Sequence, residues 1–345
     1  MGSAGAQVRT QRQLTPMTPM SDLRILCSPA EAPALTQALS SSGQRFILRH
    51  PEDGQPCDAQ VAFVSRDITG ASTKFQITPE TARYYEAMRH APDLRWVHVH
   101  SAGADREIYQ SLHARGVAIT TSQGASDAVV AQTAIGGVLA LARRLPLLAA
   151  DQRDRAWRPL LGARTPRDLA GQHAVVVGWG GIGQRIGELL LALGLTLSVV
   201  RHSGTPVPQA RHTARYEDLA GVLPRADWLV LACPLTPATR DLVDRQALAT
   251  LPAHASIVNV ARGHVIDEVA LIEALAAGRL GSAFLDVFQQ EPLPPASPLW
   301  AMDNVIVTPH SAGFSDGNQA RVRSLFLENL RRWTSAEPLA NRLVG

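Results

Sequence analysis

His173-Ala-Val-Val-Val-Gly178-Trp-Gly180-Gly181-Ile182-Gly183 decides the fold of this chain. A buried-type apolar run, 174–177, of one alanine and three β-branched valines, leads into Gly-x-Gly-x-x-Gly, and a helical stretch, 184–193, follows. Glycines at this spacing are weak evidence alone. Between a strand and a helix they mark a dinucleotide-binding turn. Gly178 permits the tight turn, Gly180 lets the backbone approach a pyrophosphate, and Gly183 lets helix and strand pack closely. The pyrophosphate would face the free N–H groups at the positive end of the helix, beside Gly181 and Ile182. A plain glycine turn is the alternative reading.

Downstream, strand-like runs at 195–200, 228–231, 256–260, 283–287 and 305–307 alternate with helical segments. One of these, 267–277, starts at an Asp and stops at Gly278. Upstream, short apolar runs at 23–27, 61–64, 96–99 and 117–121 alternate with helical stretches such as 33–41 and 78–89. Such alternation predicts an α/β protein with parallel sheets covered on both faces. Between the two series, 128–150 is apolar on all sides and interrupted at Pro146. It should be a buried helix or lie in an interface. A terminal helix is expected near 319–333.

Beyond the strand at 195–200 stands Arg201-His202-Ser203, with no carboxylate before Glu217. A site for NAD usually carries an Asp or Glu there, to bind the ribose 2′-hydroxyl. A guanidinium suits a 2′-phosphate, and Ser203 can add a hydrogen bond. The expectation is NADP(H) in preference to NAD(H). The alternative is that Arg201 stacks on adenine and both cofactors bind.

Three later segments end strands: 257–263 with Arg262, 285–292 with Glu291, and 307–313 with His310. Ligands of open α/β sheets bind beyond the carboxyl ends of strands, so these side chains can converge. Reduction of a 2-oxo acid needs a hydride at the carbonyl carbon and a proton at its oxygen. Histidine is the natural donor near neutral pH, a carboxylate beside it fixes the ring, and arginine can grip a carboxylate with two prongs. Singly, His310 could be a loop residue, Arg262 could pair with Asp267, and Glu291 could be a solvated charge.

Bulk properties agree. A chain of 345 residues, 46% hydrophobic and 18% charged, suits two globular domains. A net charge of +3 argues against nucleic acid or an acidic membrane as the main partner. Lys74 is the only lysine, which reflects composition rather than a basic patch. Three scattered cysteines, Cys27, Cys57 and Cys233, fit a reducing, cytoplasmic setting with no metal site. No apolar run is long enough to span a membrane. Residues 1–20 lack the apolar core of a secretory signal and are expected to be a disordered tail, with a transit peptide as the alternative. Met17 and Met20 are alternative starts.

Taken in order, the glycine loop, Ala232-Cys233-Pro234-Leu-Thr-Pro-Ala-Thr239, Val258-Asn-Val260-Ala-Arg262-Gly263 with Asp267-Glu268, Leu285-Asp286-Val-Phe288 and Thr308-Pro-His310 resemble the D-2-hydroxyacid dehydrogenase family, its glyoxylate/hydroxypyruvate reductases included. The resemblance implies two Rossmann-like, doubly wound domains. The cofactor domain, 125–315, would be inserted into a discontinuous substrate domain, 21–124 and 316–345. It implies Arg262, Glu291 and His310 as the active-site trio, and a cleft between the domains that closes against water. It implies that Cys233, Pro234, Val260, Asp286 and Gly313 border the cofactor. The backbone of Ser101-Ala102-Gly103-Ala104-Asp105, chiefly Ala102 and Gly103, would hold the substrate carboxylate. Family members are usually homodimers, with the 128–150 helix in the interface.

Two departures stand out. Val130-Ala131-Gln132 replaces the usual Val-Ala-Glu, and Trp179 is bulky for a glycine loop. Glu291 argues against a relative that oxidises formate, which pairs Gln with the histidine. Phosphite oxidation keeps Glu and His and stays open, as does a nucleotide-sensing scaffold like the family's corepressors.

Overall fold

A computed structural model describes residues 22–40, 44–51, 57–70, 72 and 76–343. The expected tail at 1–20 lies outside the described residues. The chain divides into two compact units, one formed by the residues up to Ala125 and from Gln319 onward, the other by Ser126–Asn318.

In the first unit the order is β1 (Leu23–Leu26), α1 (Ala32–Leu39), β2 (Phe46–Arg49), β3 (Val61–Val64), α2 (Arg66–Thr69), α3 (Pro79–His90), β4 (Trp96–Val99), α4 (Glu107–Ala114) and β5 (Ala118–Thr121). The sheet runs β2-β1-β3-β4-β5, all pairs parallel. Strands β3, β4 and β5 are buried at every position, as expected of a sheet covered on both faces.

The second unit holds α5 (Asp127–Ala142), α6 (Leu145–Arg153), β6 (His173–Val177), α7 (Gly181–Ala192), β7 (Thr196–Val200), β8 (His212–Ala214), β9 (Trp228–Leu231), α8 (Arg245–Thr250), β10 (Ser256–Asn259), α9 (Glu268–Ala276), β11 (Ser282–Leu285) and β12 (Val305–Val307). Its parallel sheet runs β12-β11-β10-β9-β6-β7-β8. The strand order reverses between β6 and β9, so the chain after both strands borders one crevice, the usual ligand position in such sheets.

The last helix, α10 (Asn318–Thr334), closes the first unit. Phe326 stacks on Phe63 with ring centroids 4.5 Å apart, and Trp96 stacks on Phe326 at 5.4 Å and on Trp333 at 5.7 Å. The fully buried Glu31 accepts from Arg323 Nε at 2.7 Å. A buried carboxylate tolerates burial only with such a partner.

Three sequence expectations change. The break in the apolar stretch falls at Arg144, whose backbone is left-handed (φ 54°); Pro146 instead sits in the first turn of α6, where a missing N–H costs nothing. The two helices differ in direction by 66°. Helix α5 buries one face, through Val130, Ala131, Ala134, Ile135 and Val138, while Ala128, Gln132 and Gly136 are exposed. Strands β2 and β8 were not anticipated. Both form a sheet edge, and β8 has only three residues with an exposed start. Among the described residues, no single helix is long and apolar enough to cross a membrane.

Candidate active site

At the end of β6 the chain turns through Gly178 (φ 96°), a conformation side chains resist. A Cβ here would also lie 2.6 Å from the Cys233 backbone nitrogen beyond β9. A Cβ on Gly183 would lie 2.0 Å from the Gly178 carbonyl oxygen, so α7 packs on the loop only through glycine. Gly180 and Gly181 are exposed, and a Cβ at Gly180 would meet nothing within 4 Å. This is a close-approach cradle over a helix start, and it fits a dinucleotide pyrophosphate. Ile182 is half-buried within the first turn of α7. Trp179 fits because its ring turns onto α7, where Gly187 leaves room; a Cβ there would stand 2.4 Å from the ring.

Arg201 follows β7 and is half-buried, while His202 and Ser203 are exposed. His202 packs near Tyr216, with centroids 6.2 Å apart, and Ser203 Oγ accepts from Thr205 Oγ1 at 2.9 Å. The stem of Arg215 lies against Gly204, a second guanidinium beside this turn that sequence spacing did not single out. Arg215 itself pairs with Glu217 at 3.1 Å.

Beyond β9, Cys233 is buried, and burial pushes its thiol up to about 12, so it is inert near neutral pH. The Pro234 carbonyl accepts from Thr239 Oγ1 at 2.6 Å, which fixes the loop. Val260 is buried after β10. Asn259 shapes the next turn, accepting from the Ala261 N–H at 3.0 Å and donating to the Arg262 carbonyl at 3.2 Å. A Cβ on Gly263 would collide with the Phe288 carbonyl carbon at 1.9 Å. This close approach joins the segment carrying Arg262 to the one carrying Glu291. Arg262 does not pair with Asp267, which caps α9 by accepting from the Ala270 N–H at 3.0 Å.

The segment after β12 is held by the buried Asp286. Its Oδ1 accepts from Thr308 Oγ1 at 2.6 Å and the Ser311 N–H at 2.8 Å, and both oxygens accept from the Ala312 N–H at 3.1 and 3.0 Å. Besides the place expected for it beside the cofactor, Asp286 organises the loop that presents His310 through its carboxylate. That loop holds His310 at φ 50°, with its N–H donating to the Asp286 carbonyl at 2.8 Å. Left-handed backbone is costly for a residue with a Cβ, and persists where neighbours impose it. Gly313 follows, within reach of Ser126 at the start of α5; a Cβ on it would stand 3.3 Å from the Ser126 Cβ.

His310 Nδ1 donates to Glu291 Oε2 at 2.8 Å, and Glu291 Oε1 accepts from the Phe288 N–H at 3.1 Å. Burial pushes the Glu291 carboxyl up. The His310 hydrogen bond and charge, the Phe288 N–H and the charge of Arg262 outweigh it, and the net shift is downward. Glu291 therefore stays ionised and orients the imidazole, leaving Nε2 directed away from it. Arg262 is half-buried, close enough to act electrostatically on Glu291, and donates to the Ala261 carbonyl at 2.7 Å. The structure thus gathers the trio in one unit.

Ala102 and Gly103 belong to the first unit, in the turn after β4. Ser101 Oγ donates to the Gly103 carbonyl at 2.6 Å, and the Ser101 carbonyl accepts from the Ser122 N–H at 3.0 Å. Among the described residues no group of His, Cys, Asp and Glu could hold a metal.

A parallel sheet with a glycine cradle at its switch point defines a dinucleotide-binding fold of the Rossmann type. Residues 135–312 match the D-isomer specific 2-hydroxyacid dehydrogenase, NAD binding domain. A glyoxylate/hydroxypyruvate reductase of Arabidopsis thaliana is 31% identical over 254 residues, covering 74% of this chain and 77% of the relative. A family structure from Aeromonas salmonicida superposes with a TM-score of 0.77 at 26% identity, covering 94% and 99% of the two chains. Another from Xanthobacter autotrophicus Py2, in complex with NADPH and MES, gives 0.72 at 30% identity, covering 94% and 98%. The chain belongs to the D-isomer specific 2-hydroxyacid dehydrogenase family.

Proposed function

We propose that this protein reduces a small 2-oxo acid, glyoxylate or hydroxypyruvate, to the D-2-hydroxy acid, with NADP(H) preferred to NAD(H). The observation that carries the reading is the His310–Glu291 hydrogen bond at 2.8 Å, on a loop fixed by Asp286. The bound nicotinamide would supply the hydride to the carbonyl carbon. His310, oriented through Nδ1 by the ionised Glu291, offers its Nε2 proton to the carbonyl oxygen. Arg262 binds the substrate carboxylate and polarises the carbonyl. The backbone N–H groups of Ala102 and Gly103, in the first unit, are further proposed donors to a substrate carboxylate. Cofactor residues are Gly178, Gly180, Gly181, Ile182, Gly183, Cys233, Pro234, Val260, Asp286 and Gly313.

The preference for NADP(H) rests on Arg201 and Ser203 where a carboxylate is customary, with Arg215 alongside; NADPH in the Xanthobacter relative is consistent with it. The substrate class rests on the trio and the reductase relative. A cytoplasmic homodimer completes the proposal. Leu145, Leu147 and Trp300 are exposed on the second unit, and Leu145 and Trp300, with Ala149 and Val307, line an open groove of about 490 Å³. An apolar surface of this kind suits a partner subunit.

The test follows cofactor absorbance with NADPH or NADH and glyoxylate, hydroxypyruvate, pyruvate or phenylpyruvate. Rapid oxidation of NADPH with one of the first two is expected. No turnover with any of the four would overturn the proposed reaction, and sedimentation as a monomer would remove the dimer.

A further inference from the structure

Asp127 opens α5, and its carboxylate reaches the first residue of the glycine-loop helix. A Cβ built on Gly181 would stand 1.7 Å from Asp127 Oδ2 and 2.9 Å from its Cγ. The carboxylate therefore fills the space directly over the Gly181 Cα, at the first turn of α7. The first N–H groups of a helix have no partner inside it, and the helix end carries partial positive charge. A carboxylate here lies in the same positive field of the helix start that would receive a pyrophosphate. Gly180, next to it, is exposed and open for at least 4 Å beyond a Cβ position, so carboxylate and pyrophosphate would share one small region. Neither Gly-x-Gly-x-x-Gly nor the trio identifies this residue. It lies 54 positions before Gly181 in the chain, and α5 packs against α7.

We propose that Asp127 is a built-in anionic competitor at the pyrophosphate position, which weakens dinucleotide binding and must withdraw or be offset when the cofactor binds. The inference rests on the nicotinamide reading above and concerns the pyrophosphate alone. Removing the charge therefore tightens every ligand that carries the pyrophosphate, whatever stands at its far end.

The experiment measures dissociation constants of the full chain by fluorescence or calorimetry. The probes are NADPH, NADH and ADP-ribose, which keeps the pyrophosphate and lacks the nicotinamide. The proteins are wild type, Asp127→Asn and Asp127→Ser, each with a thermal melt to verify folding. Serine keeps a short helix-starting oxygen without charge. Both variants are expected to bind all three probes about tenfold more tightly, the scale of one partly screened like-charge contact. Unchanged or weaker binding in the folded variants overturns the proposal, and so does a gain confined to the intact cofactors. Wild type that binds none of the probes, with variants that also bind none, removes the cofactor reading and this inference together. Binding by wild type with no gain in the variants removes this inference alone.

Discussion

His98 makes acid stability the sharpest quantitative test. It sits in the middle of β4, fully buried, and a single chain of hydrogen bonds specifies its neutral form. Trp96 Nε1 donates to Thr120 Oγ1 at 2.8 Å, so the Thr120 hydroxyl can donate to His98 Nδ1, also at 2.8 Å. His98 Nε2 then donates to Ser122 Oγ at 3.0 Å, and Ser122 Oγ donates to the Val99 carbonyl at 2.9 Å. A second proton on Nδ1 would set two donors against one another at Thr120. Burial, with a smaller contribution from the charge of His100, lowers His98 from 6.5 to about 3. The unfolded chain therefore binds a proton at pH 5 that the folded one refuses. Stability from this residue is fully present above pH 6.5 and declines as pH falls toward 3, by about 1.4 kcal/mol per pH unit, or about 2 kcal/mol at pH 5. His100, lowered to about 4 chiefly by burial, adds in the same sense. Urea denaturation between pH 7.5 and 5 should show this decline in wild type. His98→Gln offers hydrogen-bonding groups without the titration, and its pH slope should be visibly shallower. Parallel slopes in the two proteins would refute the account. The network also reaches function, because the Ser122 N–H holds the Ser101 carbonyl at the start of the proposed substrate turn.

Other expectations concern the site and the fold. His310→Ala should reduce kcat by about 100-fold or more, the usual scale for loss of a general acid, with cofactor affinity nearly unchanged; near-normal turnover in steady-state assays contradicts its role. Arg201→Ala should raise KM for NADPH much more than for NADH, and equal effects on both remove the 2′-phosphate contact. Glu31→Ala leaves Arg323 without its carboxylate, and should cost about 3–5 kcal/mol in denaturant unfolding. A cost below about 1 kcal/mol would mean that water replaces the pair.

Much of the site was legible because its information is local. The glycine spacing, the β-branched run before it and the Asp start of α9 each depend on neighbours within one turn or strand. Arg262, Glu291 and His310 could be grouped because strands of a parallel sheet deliver their following loops to one edge. Strand β8, with only three residues and an exposed start, carried too little pattern to be read. The break before α6 was misplaced because Pro146 is the conspicuous residue, whereas the turn is made by Arg144 in a backbone conformation its type rarely adopts.

The sequence by itself determined the class of fold, the glycine turn and the grouping of Arg262, Glu291 and His310, since periodicity, glycine stereochemistry and the delivery of loops by parallel strands follow simple rules. Tertiary structure alone decided which distant groups meet. It turned Asp286 toward residues 308–312, set Asp127 on Gly181, and buried Glu31 against Arg323. Each of these is a carboxylate whose place depends on which donors or positive ends the fold brings near it, and no local pattern encodes that choice.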